Sequence, residues 1–194
     1  VWFKRDLRLY DHEPLFLAQQ SQLPVLLIYC FEPSIMQYED SDVRHWRFVY
    51  ESIVDLNQRL SNFNTQILVC HREASEVFGE LRNHYRIIHL FSHQETGNKI
   101  TYDRDLEVQK FCTEHNISWK ESRTNGIVRK LKTRKNWELR WKETMSKPII
   151  KADLKNTKFL SLHPSVRAAI KGPELPSELD RKSTRLNSSH LVIS

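Results

Sequence analysis

Four glycines in 194 residues are few for a chain that would wrap backbone around phosphates. None of them falls in a G-x-G-x-x-G or Walker A loop, which weighs against ordinary dinucleotide or triphosphate cradling. No G-x-S-x-G elbow, H-E-x-x-H helix or paired Cys/His cluster occurs, and the nine histidines are scattered without metal-ligand spacing. Cys30, Cys70 and Cys112 stand singly within apolar patterns. An odd number so widely separated argues against a disulfide framework, and buried reduced thiols in a cytoplasmic protein are expected. No apolar run approaches the roughly 20 residues needed to cross a bilayer, so no membrane partner is expected. No secretory h-region is present, and the chain opens on Val1-Trp2-Phe3 without an initiator Met, as a fragment would.

What is there fits a globular domain of ordinary size plus an appendage: 39% of residues are hydrophobic and 28% charged. The formal charge is +6, and the basic residues are unevenly placed. Lys120, Arg123, Arg129, Lys130, Lys132, Arg134, Lys135, Arg140, Lys142, Lys147 and Lys151 face only Glu121, Glu138 and Glu143. A solvated helix face accounts for such a run; so does a surface lying near a phosphate backbone.

Short β-like runs alternate with amphipathic stretches. After the opening strand, continuous apolar runs at 24–31, 66–70 and 86–91 read as strands covered on both faces, and 117–121 as a weaker fifth. Ser41-Asp42 can cap a long helix carrying Trp46, Val49, Ile53, Leu56 and Leu60; shorter helices are expected at 74–84, 102–115 and 136–145. This is an α/β chain: a Rossmann-like three-layer domain with a mostly parallel five-stranded sheet, then a linker and a disordered tail. The expected division is a domain over 1–148, a connector over 149–180 punctuated by prolines, and 181–194. That last stretch resembles translated adapter or vector sequence and is set aside.

Three constellations sit where strands end. Lys4-Arg5-Asp6, with Arg8, Asp11 and His12, follows the first strand; Cys30-Phe31-Glu32 closes the second; Ser92-His93-Gln94-Glu95-Thr96-Gly97, then Arg104-Asp105, follows the fourth. In a parallel sheet these loops open on one edge, where such sheets bind ligands. Arg5 and Asp6 read equally well as an ion-pair cluster pinning the turn, and His12 as the start of a helix.

The segment Trp2-Phe3-Lys4-Arg5-Asp6-Leu7-Arg8, with Asp11-His12 and Leu15, resembles the opening signature of the DNA photolyase/cryptochrome family. The likeness continues at Arg44-x-x-x-Phe48-x-x-x-Ser52-Ile53-x-x-Leu56, at Ser92–Gly97 with Arg104-Asp105 (the bacterial cryptochrome/photolyase type), and at Arg123–Arg129 followed by Trp137 and Trp141. It covers about 1–148. The resemblance implies a light-harvesting or scaffold domain of a deoxyribodipyrimidine photolyase, a carbon–carbon lyase that repairs pyrimidine dimers in DNA by light. The alternative is a cryptochrome photoreceptor without repair; a third reading is a stand-alone adenine-nucleotide-binding domain. The family's catalytic FAD sits in a C-terminal helical domain that matches nothing here, so the fragment is expected to be inactive alone and monomeric. Its five tryptophans read as core or interface anchors. What could remain is an antenna site for a flavin, deazaflavin or folate. Carried over position by position, it would use Arg5, Cys30, Phe31, Glu32, Arg44, Ser92, His93, Gln94, Glu95 and Arg104, with no catalytic residue and no metal.

Overall fold

The structure is a computed structural model; it describes residues 1–127, 129, 133 and 135–179. The expected tail at 181–194, and Asp180, lie outside the described residues. Five strands alternate with helices: β1 (Trp2–Phe3), α1 (Glu13–Gln20), β2 (Ile28–Cys30), α2 (Pro33–Met36), α3 (Val43–Leu60), β3 (Leu68–Cys70), α4 (Ala74–His84), β4 (His89–His93), α5 (Lys99–Glu114) and β5 (Ser118–Ser122). Then come α6 (Trp137–Met145) and α7 (Pro164–Lys171). Every pairing of these strands is parallel: β1 and β3 flank β2, and β4 pairs with β5. β4 lies on the free side of β1 without a ladder between them, so the α/β sheet is hydrogen-bonded in two parts.

The apolar runs are continuous because both faces of the sheet are covered. Successive residues alternate between two cores. Trp2, Ile28, Cys30, Leu68 and Leu90 face α4, α5 and α7, where Val77, Phe78, Val108 and Ile170 wait. Phe3, Leu27, Tyr29, Ile67 and Phe91 face α1 and α3, against Leu15, Ile53, Leu56 and Leu60. Burying each such side chain contributes about 1.5–3 kcal/mol.

The helix starts follow local chemistry. Asp42 caps α3 by accepting from the Arg44 amide at 2.8 Å, as the Ser41-Asp42 pair suggested. His12 caps α1, its Nδ1 accepting from the Leu15 amide at 3.2 Å, with Pro14 in the first turn. The second strand is shorter than its apolar run because Val25 pairs with Phe159 instead, its amide donating to Lys158 O at 2.7 Å. Residues 149–179 thus lie against the α/β body: His71 donates its amide to Lys171 O, and Ile170 and Leu179 are buried in the two cores. All three cysteines are buried and free.

Candidate functional site

The loops after β1, β2 and β4 meet at the carboxyl edge of the sheet. Arg104 of α5 ties them together: its guanidinium reaches Glu32 Oε2 at 2.5 Å, Glu95 Oε2 at 3.5 Å and Asp105 Oδ1 at 3.1 Å. Its Cζ lies 4.7 Å from the centre of the Trp2 ring. Burial alone would lower its pKa, but Glu32 and Asp105 dominate and hold it above the ordinary arginine value. Lys4 Nζ sits over the same indole at 4.3 Å and donates to both Asp105 oxygens, at 3.0 and 3.1 Å. Burial nonetheless pulls the Lys4 ammonium below its ordinary pKa. Glu32 also accepts from the Ala74 amide at the start of α4, at 3.1 Å; burial raises its carboxyl despite that partner and Arg104. Arg129 closes the far side, donating to Glu95 O, Glu121 and Asp105.

Beneath the rim lies a smaller knot. Asp6 accepts from the Lys4 amide at 2.8 Å, and its Oδ2 stands 2.5 Å from His93 Nδ1 and 2.7 Å from His12 Nε2. Burial pushes the Asp6 carboxyl up, but the two imidazoles more than reverse this and hold it well below the usual range. His12 is driven below its ordinary pKa, burial outweighing its aspartate partner. The trio has the composition of a metal site, and no spacing in the chain hints that these residues meet. Its chemistry argues otherwise. His12 Nδ1 accepts the Leu15 amide proton, so the proton of the neutral ring must sit on Nε2, which lies 2.7 Å from Asp6 Oδ2 but out of line for a hydrogen bond. A ring spent that way has no lone pair for a metal. The nitrogen–oxygen separations of 2.5 and 2.7 Å are also hydrogen-bond lengths, leaving no space for an ion between them. Asp6 is thereby engaged by histidines and not by Arg5, whose exposed side chain stands 3.7 Å from Glu95.

Above this paired floor opens a cavity of about 550 Å³. Trp2, Phe3, Tyr29 and Cys30 form its base; Trp46, Phe48, Val49 and Ser52 of α3 form one wall; Asn98 and Thr101 at the start of α5 form another. Trp46 is fixed by its Nε1, which donates to Ser41 Oγ at 2.7 Å. Gly97 belongs to the rim because a Cβ there would stand 2.8 Å from Thr101 Oγ1 and 2.9 Å from Glu95 Oε1. Glu95 Oε1 accepts both the Thr96 and Gly97 amides, each at 3.0 Å.

Of the residues carried over from the resemblance, Arg5, Cys30, Glu32, Glu95 and Arg104 line this cavity. Phe31 is fully buried and packs on Tyr29 and Trp46 behind it. Arg44 points into solvent, paired with Asp42 at 2.9 Å. Ser92 accepts from Trp119 Nε1, His93 serves Asp6, and the Gln94 amide donates to Ser122 O. The sequence reading placed Lys4 in the first of its three constellations but missed Tyr29, Tyr38 and the α3 wall as cavity residues. The helical period of Trp46, Val49 and Ile53 was visible, but it reads as core when the neighbouring loop is unknown.

Fold and site together define a doubly covered parallel α/β domain with a pocket at the carboxyl ends of its strands. The family model described as DNA photolyase matches residues 1–147, and the chain belongs to that family. Cryptochrome DASH of Gloeobacter violaceus is 32% identical over 113 residues, covering 55% of this chain and 23% of that protein. Cryptochrome DASH of Synechocystis sp. is 30% identical over 115 residues, covering 56% and 24%. The chain thus spans about a quarter of these relatives' length. Among solved structures, an archaeal photolyase from Sulfolobus tokodaii, described with two FAD molecules and a novel light-harvesting cofactor, superposes with a TM-score of 0.68 at 18% identity. It covers 90% of this chain and 42% of that one. A Synechocystis cryptochrome gives 0.65 at 20%, covering 81% and 36%. At such identities these two likenesses establish the fold.

Proposed function

We propose that this domain is the light-harvesting or scaffold half of a DNA photolyase, with catalytic FAD carried by a helical domain elsewhere in the whole protein. The observation that carries the reading is the cavity at the carboxyl edge. A planar chromophore needs a flat apolar slot with a few fixed polar groups, and Trp46, Tyr29 and Val49 stand beside a rim of mutually paired charges. Arg5, Cys30, Glu32, Glu95 and Arg104 would meet the chromophore; Phe31, Ser92 and His93 back them from behind, Gln94 anchors the strand end, and Arg44 steadies the start of α3. The antenna, a flavin, deazaflavin or folate, would supply light absorption when bound. The protein's own contribution is to exclude water and hold the ring still. The relative with two FAD molecules supports a flavin in such a domain.

Titrating the chain with FMN and with ATP, while following tryptophan fluorescence, tests this. FMN should quench emission, because Trp2 and Trp46 border the cavity. Binding of ATP alone would replace the reading with an adenine-nucleotide domain. The cryptochrome relatives favour a second reading, a blue-light photoreceptor without repair. Photoreactivation of an ultraviolet-sensitive host by the complete gene separates the two: rescue supports repair, and failure with a flavin-loaded protein supports signalling.

A further inference from the structure

At the β3 edge of the sheet stands a cation that no acid answers. β3 is the last strand on that side, and α7 packs against it. The His71 amide donates to Lys171 O at 2.8 Å and Ile170 is fully buried, so the C-terminal end of α7 is fixed. Arg167 lies one turn earlier, half-buried. Gln66, with its amide oxygen turned towards α7, accepts from Arg167 Nη1 at 2.8 Å and from Nη2. Among the described residues no carboxylate pairs with this guanidinium. It stays charged at any physiological pH, and a neutral oxygen is a weaker partner for it than a carboxylate or phosphate. Beside it opens a recess of about 370 Å³. Asn57, Asn64, Thr65 and Ser161 bring amides and hydroxyls to its lining, Leu26, Phe159 and Leu162 bring an apolar wall, and no acidic residue takes part. The Asn57 oxygen is taken by the Ile67 amide at 2.7 Å, which leaves its NH2 group to donate. Arg167 also lines a second recess, where Glu174 and Lys171 are both present.

We propose that the recess beside Arg167 binds a small organic anion, its phosphate or carboxylate on the guanidinium and its apolar part against Phe159 and Leu162. Gln66 occupies the end of the fork, between Nη1 and Nη2. The side of the fork, Nε with one Nη, remains for two oxygens of the ligand, the geometry in which arginine takes carboxylate and phosphate groups. Gln66 is then a positioning residue that holds the fork before the ligand arrives. The recess shares no lining residue with the cavity at the carboxyl edge, so the inference is independent of the antenna reading.

The test uses the 194-residue chain, labelled with nitrogen-15, and three probes: phenyl phosphate, benzoate and the neutral benzyl alcohol. Saturable shifts of the Arg167 Nε–H and Asn57 side-chain amide resonances are expected with at least one of the two anions and not with the alcohol. The tighter anion tells whether phosphate or carboxylate is the preferred group. Arg167→Gln removes the charge and should weaken binding by about tenfold to a hundredfold. Ser161→Asp, at an exposed position of the lining, leaves the Arg167–Gln66 contact in place and should weaken binding by like-charge repulsion. Unchanged circular dichroism and melting temperature in Ser161→Asp would show that its loss of binding is not a loss of fold. Absence of saturable shifts with either anion overturns the proposal, as does equal affinity in both variants. So do anion-induced shifts confined to Trp46 and Arg104, which would move the binding to the cavity at the carboxyl edge.

Discussion

On one side β1 is joined to β2 by a backbone ladder, Trp2 opposite Ile28 and Phe3 opposite Tyr29. On its other side, towards β4, the join is made by side chains: Asp6 to His93, Lys4 to Asp105, and Trp2 to Trp119 at 6.1 Å between ring centres. A backbone ladder tolerates side-chain replacement and ignores pH. A side-chain seam does neither, because each member is a buried polar group whose partner cannot be removed without cost. The pocket opens over the second kind of seam. Its rim is therefore held rigid by the charges that a sequence reader would assign to ligand binding.

The largest effect should come from Asp6→Ala. It leaves the His12 and His93 imidazoles and the Lys4 amide facing an apolar hole, and should cost about 3–5 kcal/mol in urea denaturation. A loss below about 1 kcal/mol would mean that the two halves of the sheet are held together by packing alone.

Next in size is a pH effect. The folded-state pKa of His12 lies below its ordinary value of 6.5, so the unfolded chain binds a proton first as the solution is acidified. Its contribution to stability is present above pH 6.5 and is lost as pH falls through the folded value, at up to about 1.4 kcal/mol per pH unit. Asp6 adds its own loss lower down, below about pH 3.8, since its folded pKa is also depressed. His12→Asn keeps an N-cap side chain for α1. It should flatten the slope just below pH 6.5 while leaving the steeper acid limb. An unaltered slope would assign that titration to another histidine.

Much of this architecture could be read from residues. The continuous apolar runs announced strands covered twice, and Ser41-Asp42 announced the start of α3, which begins at Val43. The meeting of the three loops followed from parallel strands alone. The Asp6–His12–His93 knot was not legible. Its members are 87 residues apart in sequence at the widest, and no local period links them. Nor does a motif tell a ligand-binding arginine from a spent one. Arg44 and Arg104 look alike in sequence, yet one is exposed beside Asp42 and the other is locked between Glu32, Glu95 and Asp105. The packing of residues 149–179 was equally hidden, because Phe159, Ile170 and Leu179 are isolated apolar side chains too sparse to show a period.

The ladder side of β1 should respond by volume only. Ile28→Val removes one methylene from the core and should cost about 0.5–1.5 kcal/mol. The same cost is expected at pH 5 and pH 8, because the Val1 amine, which donates to Leu26 O at 2.7 Å beside this ladder, belongs to wild type and variant alike. A pH-dependent penalty here would erase the distinction between the two seams.

Lys4→Met should have the smallest effect, and it is the sharpest test of how the charged seam is built. Asp105 receives three cations: Lys4 at 3.0 Å, Arg104 at 3.1 Å and Arg129 at 3.0 Å. Removing one leaves two guanidiniums on the carboxylate, while a methionine of similar length still fills the space over the Trp2 ring. Lys4 itself is held against its preference, as its lowered pKa shows, so its loss also removes a desolvation cost. The two effects oppose, and the net change near neutral pH should stay within about 1 kcal/mol. The sign of the pH dependence is fixed. A base whose folded pKa is depressed lends stability that is present above 10.5 and fades as pH falls through the folded value. Wild-type protein should therefore gain on Lys4→Met as urea denaturation is repeated from pH 8 towards pH 10. A loss of about 3 kcal/mol at neutral pH, the scale of a broken buried pair, would instead make Lys4 the keystone of the seam and the two arginines secondary.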